Sequence, residues 1–294
     1  MTDVDIFKLL KEGFVVWKNN LRICIPFVWS TLLTVIIGLT IFFIIFFNIL
    51  MPSIGAYLTN PTQVASSGFV NEILQSIKNM LLPIILGVVV LIISIAVIYS
   101  FFTAGAIGMI KKLLQTGETD TSTMWSYGKH KMLSVLGANV IIGLIAAVGF
   151  VFIIPGFFVF ISSFSSYASN GVMSSSTSFR FLSEILFFLL GVLLTIIYIA
   201  CVSIIFALVP YAVVIDDLHA VNGVKKGFHI FWHGNKINVF AMWIIIAILS
   251  VPIGLTQGIP LVGWVIYLIL IMIIWAPLVT VWWSKIYLTI KNHG

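Results

Sequence analysis

Pro210 to Lys236 reads PYAVVIDDLHAVNGVKKGFHIFWHGNK. A long apolar run ends at Pro210, two adjacent carboxylates follow, and a basic, aromatic segment then leads into the next apolar run. The same succession stands at the N-terminus and, more loosely, in the middle of the chain. It describes a polypeptide that crosses a membrane repeatedly and keeps its charges at the edges.

Composition agrees. Of 294 residues, 61% are hydrophobic and 8% charged, against about 25% charged in ordinary soluble domains. The mean hydropathy is +1.19; a soluble core cannot hide that much apolar surface, whereas lipid solvates it. Cys24 and Cys201 both fall inside apolar runs and read as small buried hydrophobes, since disulfide frameworks and thiolate metal sites need more ligands at short spacing. The N-terminal MTDVDIFKLLKEG carries charge where a cleavable signal needs an apolar stretch, so insertion is expected to rely on the first membrane segment.

A membrane-spanning helix needs about 20 predominantly apolar residues. Six stretches qualify, 23–50, 81–110, 132–162, 181–214, 237–258 and 261–286. The expected fold is an all-α integral membrane protein, one polytopic domain over residues 1–294. Lysine and arginine set the orientation. Lys8, Lys11, Lys18, Arg22, Lys111, Lys112, Lys129, Lys131, Lys225, Lys226, Lys236, Lys285 and Lys291 fall on one side, and Lys78 and Arg180 on the other. The rich side is expected to be cytoplasmic, with both termini inside and the protein in the plasma membrane.

Residues 3–19 are amphipathic rather than spanning. Val4, Phe7, Leu10, Phe14 and Trp17 share one helical face, with Lys8, Lys11, Glu12 and Lys18 largely on the remainder. Such a helix rests among lipid headgroups. An offset of 214 positions repeats the pattern at Leu218, Val221, Val224, Phe228 and Phe231. Asp217, Lys225, Gly227, Phe228, Ile237 and Trp243 match Asp3, Lys11, Gly13, Phe14, Ile23 and Trp29. Asp120 to Lys131 forms a weaker middle copy. Three units follow, each a cytoplasmic interfacial helix, an outward span, an external loop and a returning span. Asp120 and the Asp216–Asp217 pair suit helix N-termini, where carboxylates accept exposed N–H groups. Among the external loops, the first has an apolar period at Phe69, Ile73, Ile77 and Met80 compatible with a short surface helix. The second, Ser162 to Arg180, is serine-rich and reads as mobile. The third is a tight turn near Gly254 to Pro260.

Two passages carry a resemblance. Thr103 to Lys131, TAGAIGMIKKLLQTGETDTSTMWSYGKHK, joins a small-residue span end to a basic turn, a Gly-Glu-Thr-Asp stretch and an aromatic before the next span. Together with Pro210 to Lys236 it resembles an uncharacterised archaeal family of multi-pass membrane proteins, catalogued as a domain of unknown function. More loosely, it is similar to the membrane domain attached to glycerophosphodiester phosphodiesterases. The resemblance implies an archaeal or bacterial plasma-membrane protein of this topology and supplies no catalytic residues.

His130, His219, His229, His233 and His293 all fall on the basic side, and His229 and His233 stand four apart on one helical face, a metal-compatible spacing. With Asp216 and Asp217 they form a possible cytoplasmic polar cluster, or simply a wet face of an interfacial helix. No His-Glu-x-x-His, Gly-x-Ser-x-Gly or phosphate-cradling glycine loop appears. No catalytic residue, metal site or cofactor is assigned, and an enzyme is the least favoured class.

The span centres lack Asp, Glu, Lys, Arg and His, which disfavours a proton- or ion-coupled carrier but leaves a passive pore or facilitator open. Thr34, Asn48, Ser94, Asn139, Thr195 and Ser203 are its candidate polar positions. Glu184 beside Arg180 reads as a rim ion pair or an external gate. Pro83, Pro155, Pro252 and Pro277 free carbonyls one turn earlier. Ala104 with Gly108, and Gly143 with Ala147, suit close helix contacts, within the chain or with another subunit. Lys8, Lys11, Lys18, Lys225, Lys226 and Lys236 face a leaflet that is usually anionic, where each contributes about 1 kcal/mol. Lipid headgroups are nearer to these lysines than nucleic acid, which is not an expected partner. The favoured function is a non-catalytic membrane protein engaging anionic lipids or partner proteins, a homo-oligomer among them, through its basic interfacial helices.

Overall fold

In hydrocarbon every backbone N–H and C=O needs a partner from its own segment, which selects helix for apolar runs of this length. The computed structural model describes residues 5–59, 78, 81–170 and 175–293, and no strand occurs among them. The helices are α1 (Ile6–Asn19), α2 (Ile25–Thr59), α3 (Leu81–Thr116), α4 (Thr121–Ala147), α5 (Ile154–Asn170), α6 (Ser175–Ile205), α7 (Val209–Ile215), α8 (Ala220–Ile230), α9 (Lys236–Leu255), α10 (Gly263–Leu270) and α11 (Ala276–His293). Short 3-10 turns occupy Leu21–Cys24, Val148–Phe152 and Thr256–Gly258, and wider π turns occupy Phe231–Asn235 and Ile271–Trp275.

Six of the described helical stretches are long and apolar enough to cross a membrane: Leu21–Asn48, Leu81–Thr116, Thr121–Phe152, Leu182–Ile215, Lys236–Gly258 and Gly263–Lys291. At most 22% of any of these apolar windows is buried within the protein, so their greasy exteriors are matched by lipid rather than by a core. The third stretch begins about ten residues before the expected 132–162. α4 runs unbroken from Thr121 through Lys129 and Lys131, so the middle unit has no separate interfacial helix. It ends where the backbone tightens at Val148–Phe152 and Pro155 opens α5. The serine-rich segment read as a loop is helical on both sides of residues 171–174, in α5 and α6. The expected surface helix near Phe69 to Met80 and the Arg180–Glu184 ion pair lie outside the described residues or side chains.

The chain divides into two compact units: Met1–Val16 with Leu133–Pro252 and Val279–Gly294, and Trp17–Met132 with Ile253–Leu278. In the second unit, Phe102, Met109 and Met124 form a buried cluster with Ile25, Leu33, Ile98 and Phe101 packed on it. α3 and α4 approach closely because α3 carries Gly105 and Gly108. A Cβ on Gly108 would overlap the Tyr127 ring, and one on Gly105 would lie 2.9 Å from the Met124 carbonyl oxygen. The Ala104–Gly108 spacing is therefore an intramolecular contact, whereas Gly143 has open space around it.

Pro277 has no N–H for the Ile273 carbonyl one turn before it. That oxygen instead accepts the Trp17 indole Nε1–H at 3.0 Å and the Cys24 thiol at 3.1 Å. Cys24 is thus buried, as expected of a small hydrophobe, and also a donor, whereas Cys201 is exposed rather than buried. Pro83 and Pro155 fall in the first turns of α3 and α5, where a missing N–H disrupts nothing.

In the first unit α5 and α6 close on Gly156 and Gly191, whose missing side chains admit Phe188 and the Phe152 carbonyl. Buried Thr195 donates to one of two carbonyls within reach, Gly149 and Gly191, each at 2.9 Å. The Tyr198 hydroxyl donates to Ile145 O at 3.0 Å. Of the other candidate pore residues, Asn48 and Ser203 are exposed, and each returns a hydrogen bond to its own helix.

Candidate functional site

The short helices α1 and α8 carry five of the six lysines singled out above, and Lys236 opens α9. α1 begins at Asp5, whose carboxylate accepts the Lys8 backbone N–H at 3.0 Å. Its inner side is narrow, with only Leu9 and Gly13 buried. The Trp282 indole lies against Gly13, where a Cβ would come within 2.8 Å of Nε1. That indole donates to the Leu10 carbonyl at 3.1 Å. Lys285 reaches Glu12 at 2.6 Å, and this bond and charge hold the Glu12 carboxyl below the usual carboxylate range. α11 thus fixes one side of α1, and the rest faces outward. Phe7 is 80% exposed and Phe14 46%, and Lys8, Lys11 and Lys18 are exposed beside them.

α8 is built alike with different partners. Its inner positions, Gly223 and Gly227, rest on Val213 and Val209 of α7, and a Cβ at Gly227 would lie 2.5 Å from Val209 Cγ2. These glycines stand 214 residues after Leu9 and Gly13, so the offset repeats which positions are buried. It does not repeat the packing throughout, because Ile23 is buried and its counterpart Ile237 is 65% exposed. Outward, Lys225 and Lys226 are exposed, with Phe228 at 43% and Trp232 at 55%. The Phe228 and Trp232 rings stack at 5.9 Å, and Lys236 Nζ sits 5.7 Å over the Trp232 ring, a cation–π distance.

The four residues of the possible polar cluster separate into different roles. Asp216 does not open α8 as expected; it ends α7 and accepts the Tyr287 hydroxyl at 2.6 Å and Lys291 Nζ at 2.7 Å. Asp217 follows in the left-handed region at φ 57°, and His219, in extended backbone without a side-chain cap, precedes α8. The left-handed turn at Asp217 redirects the chain between α7 and α8, and the Asp216 carboxylate meets α11 instead of the α8 N-terminus. His229 and His233 stack ring on ring, centroids 3.9 Å apart, and His233 Nδ1 lies 3.3 Å from the His229 carbonyl, a contact that requires the Nδ1–H form. Imidazole lone pairs lie in the ring plane, so stacked rings do not aim them at one ion. Among the described residues no three His, Cys, Asp or Glu side chains gather as a metal site would need. Trp282, Lys285, Tyr287 and Lys291, which hold these elements, carried no signal in the sequence beyond their basic and aromatic character. Gly223 and Gly227 did carry one, the four-residue spacing of small residues.

Asp120 does cap a helix. Its Oδ1 accepts the Thr123 backbone N–H at 2.9 Å, the Ser122 hydroxyl at 3.0 Å and the Thr123 hydroxyl. These bonds, led by the Thr123 hydroxyl, hold the carboxyl well below its ordinary value. A depressed folded-state value means that the cap's contribution is complete above the unfolded carboxylate value of about 3.9 and fades as pH falls toward the folded one. We expect wild-type thermal stability to drop more steeply below about pH 4 than that of Asp120→Asn, which caps without titrating. Parallel curves from pH 7 to pH 3 would remove this role.

A family model described as Domain of unknown function (DUF7847) matches residues 62–286. An uncharacterized protein of Archaeoglobus fulgidus is 21% identical over 296 residues, covering 95% of this chain and 93% of that protein. No solved structure matches the chain.

Proposed function

The chain belongs to the DUF7847 family, whose function is unknown, and from that premise we propose that it is a non-catalytic plasma-membrane protein that engages anionic lipid headgroups through α1 and α8. The observation that carries this reading is the pair Phe14 and Phe228. They stand 214 residues apart on helices that turn a small residue inward, and both are exposed among lysines. An aromatic ring held in water forgoes about 1.5–3 kcal/mol of burial. Sunk at the acyl boundary it regains that, while neighbouring lysines reach anionic headgroups for about 1 kcal/mol each. The clustering of lysine and arginine supports placing both helices, and both termini, on the cytoplasmic side. The inward engagement of Asp216 by Tyr287 and Lys291, and the stacking of His229 on His233, support a structural role for the polar residues. The looser likeness to the membrane domain of glycerophosphodiester phosphodiesterases rests on the same two passages and adds no residue to this reading.

Collision accessibility tests the reading. With Cys24 and Cys201 replaced by Ala, a nitroxide at Phe228→Cys in a lipid bilayer is expected to meet oxygen more often than a water-soluble nickel complex. A nitroxide at Lys225→Cys is expected to show the reverse order. Nickel-accessible labels at both positions would place α8 in water and end the proposal.

A further inference from the structure

α1 ends at Asn19 and α3 ends at Thr116, and the residues that follow each enclose an open cleft of about 890 Å³. Lys18, Asn19, Asn20, Leu21 and Arg22 line one wall; Lys112 and Thr116 to Asp120 line the other. The first two apolar stretches begin or end on lining residues, at Leu21 and Thr116, and the third begins at Thr121, next to Asp120, as a cleft at headgroup depth requires. Gly117, at φ 78° with open space around its α-carbon, lets the chain reverse from α3 into α4 without crowding it.

The charges in the cleft cancel only in part, since Lys112 pairs with Asp120 while Lys18 and Arg22 do not. Asp120 is spent on the start of α4, and Lys112 lies 3.5 Å from it and 3.2 Å from the Thr123 hydroxyl. Lys18 and Arg22 form no ion pair among the described residues. Lys18, in the last turn of α1, also opposes that helix's dipole, but Arg22 stands past the helix end. Thr119 is 9% exposed, and its hydroxyl is buried without a hydrogen-bond partner among the described residues. A buried orphan hydroxyl is costly unless something supplies the missing partner.

We propose that this cleft binds a phosphate group, held by Arg22 and Lys18 with Thr119 as hydroxyl donor. Arginine's planar fork matches two phosphate oxygens at once, and lysine adds a point charge. Glu118, on the opposite wall, suits a hydroxyl or ammonium carried beside the phosphate. The volume falls in the range of small-molecule sites, about 300–1,000 Å³, and the group is either the headgroup of a bilayer lipid or a free phosphorylated solute. Apart from Lys18, this site uses none of the aromatic and lysine surface of α1 and α8, and it stands without that surface.

The test uses the full chain in non-ionic detergent, titrated with phosphatidylglycerol and, separately, with glycerol 1-phosphate, and read by native mass spectrometry. One tight equivalent is expected in wild type. Arg22→Gln should weaken it by at least about tenfold, as losing one charge-assisted hydrogen bond does, while Arg22→Lys should retain part of it. Thr119→Val should also weaken binding but leave unliganded thermal stability equal or higher, because it deletes an unsatisfied hydroxyl; this separates a ligand role from a folding role. Displacement of the lipid by glycerol 1-phosphate assigns a free solute as the natural source, and a lipid that resists displacement assigns the headgroup. Neutralising Lys8, Lys11, Lys225 and Lys226 should leave the single tight equivalent in place. Wild-type affinity in either Arg22→Gln or Thr119→Val, or the absence of a tight equivalent for both ligands, overturns the proposal.

Discussion

Gly108→Leu is expected to separate α3 from α4 and to cost on the order of 3 kcal/mol or more, the upper range for overpacked cores. A leucine there would have to occupy the space of the Tyr127 ring, since even a Cβ overlaps it. α3 cannot simply slide away. Its next glycine, Gly105, faces the backbone of Met124, a Cβ on Gly128 of α4 would lie 2.8 Å from the Phe101 ring, and Met124 and Met109 are buried in the same cluster. Gly143→Leu is the internal control. It makes the same change on an α4 surface with nothing within 4 Å, and only a small effect is expected. Thermal unfolding in detergent reads both variants. Trimming the obstructing ring, as Gly108→Leu with Tyr127→Ala, should restore part of the loss, because the two sites are in direct contact and so are non-additive. Equal melting temperatures for Gly108→Leu and Gly143→Leu would mean that the helices do not approach as described.

The contrast between these glycines marks how far the sequence could be read. Ala104–Gly108 and Gly143–Ala147 have the same spacing, and nothing in either string says that one faces a helix and the other open space. Hydropathy placed the six spans because lipid solvation depends only on local composition. It misplaced the third by about ten residues because Lys129 and Lys131 interrupt the apolar count without interrupting the helix. Lys131 is in fact 4% exposed and lies inside the unbroken α4. Pro277 announced a freed carbonyl, but its takers, Trp17 and Cys24, lie some 250 residues earlier and only the fold brings them together. Asp120 announced a cap and is one, because its partners Ser122 and Thr123 are its neighbours in sequence. Asp216 announced the same and is not, because it closes the preceding helix and its carboxylate meets Tyr287 and Lys291, about 70 residues later, instead. The basic cleft was invisible for a related reason. Lys18 and Arg22 are distant in sequence from Lys112 and Thr119, and the orphan hydroxyl of Thr119 is a property of packing alone.

Neutralising Lys8, Lys11, Lys225 and Lys226 together as glutamines carries the other large expected effect. All four are exposed and none forms an ion pair among the described residues, so their charge is spent on whatever lies outside. At about 1 kcal/mol per lysine near an anionic leaflet, the four amount to about 4 kcal/mol, or nearly a thousandfold in relative affinity. The effect should shrink in steps, with each helix's pair contributing about half. It should also fade at high salt, because the screening length falls to about 3 Å at 1 M. The fold does not depend on these lysines, since the contacts that hold α1 and α8, Gly13 on Trp282 and Gly227 on Val209, involve none of them. The measurement is a titration of wild type and variant with fluorescent phosphatidylglycerol and phosphatidylcholine, read by energy transfer from the tryptophans. Wild type should prefer the anionic lipid strongly at low salt, and the variant should bind the two alike apart from a single tight equivalent. A variant that keeps the wild-type preference across the whole titration would contradict the account.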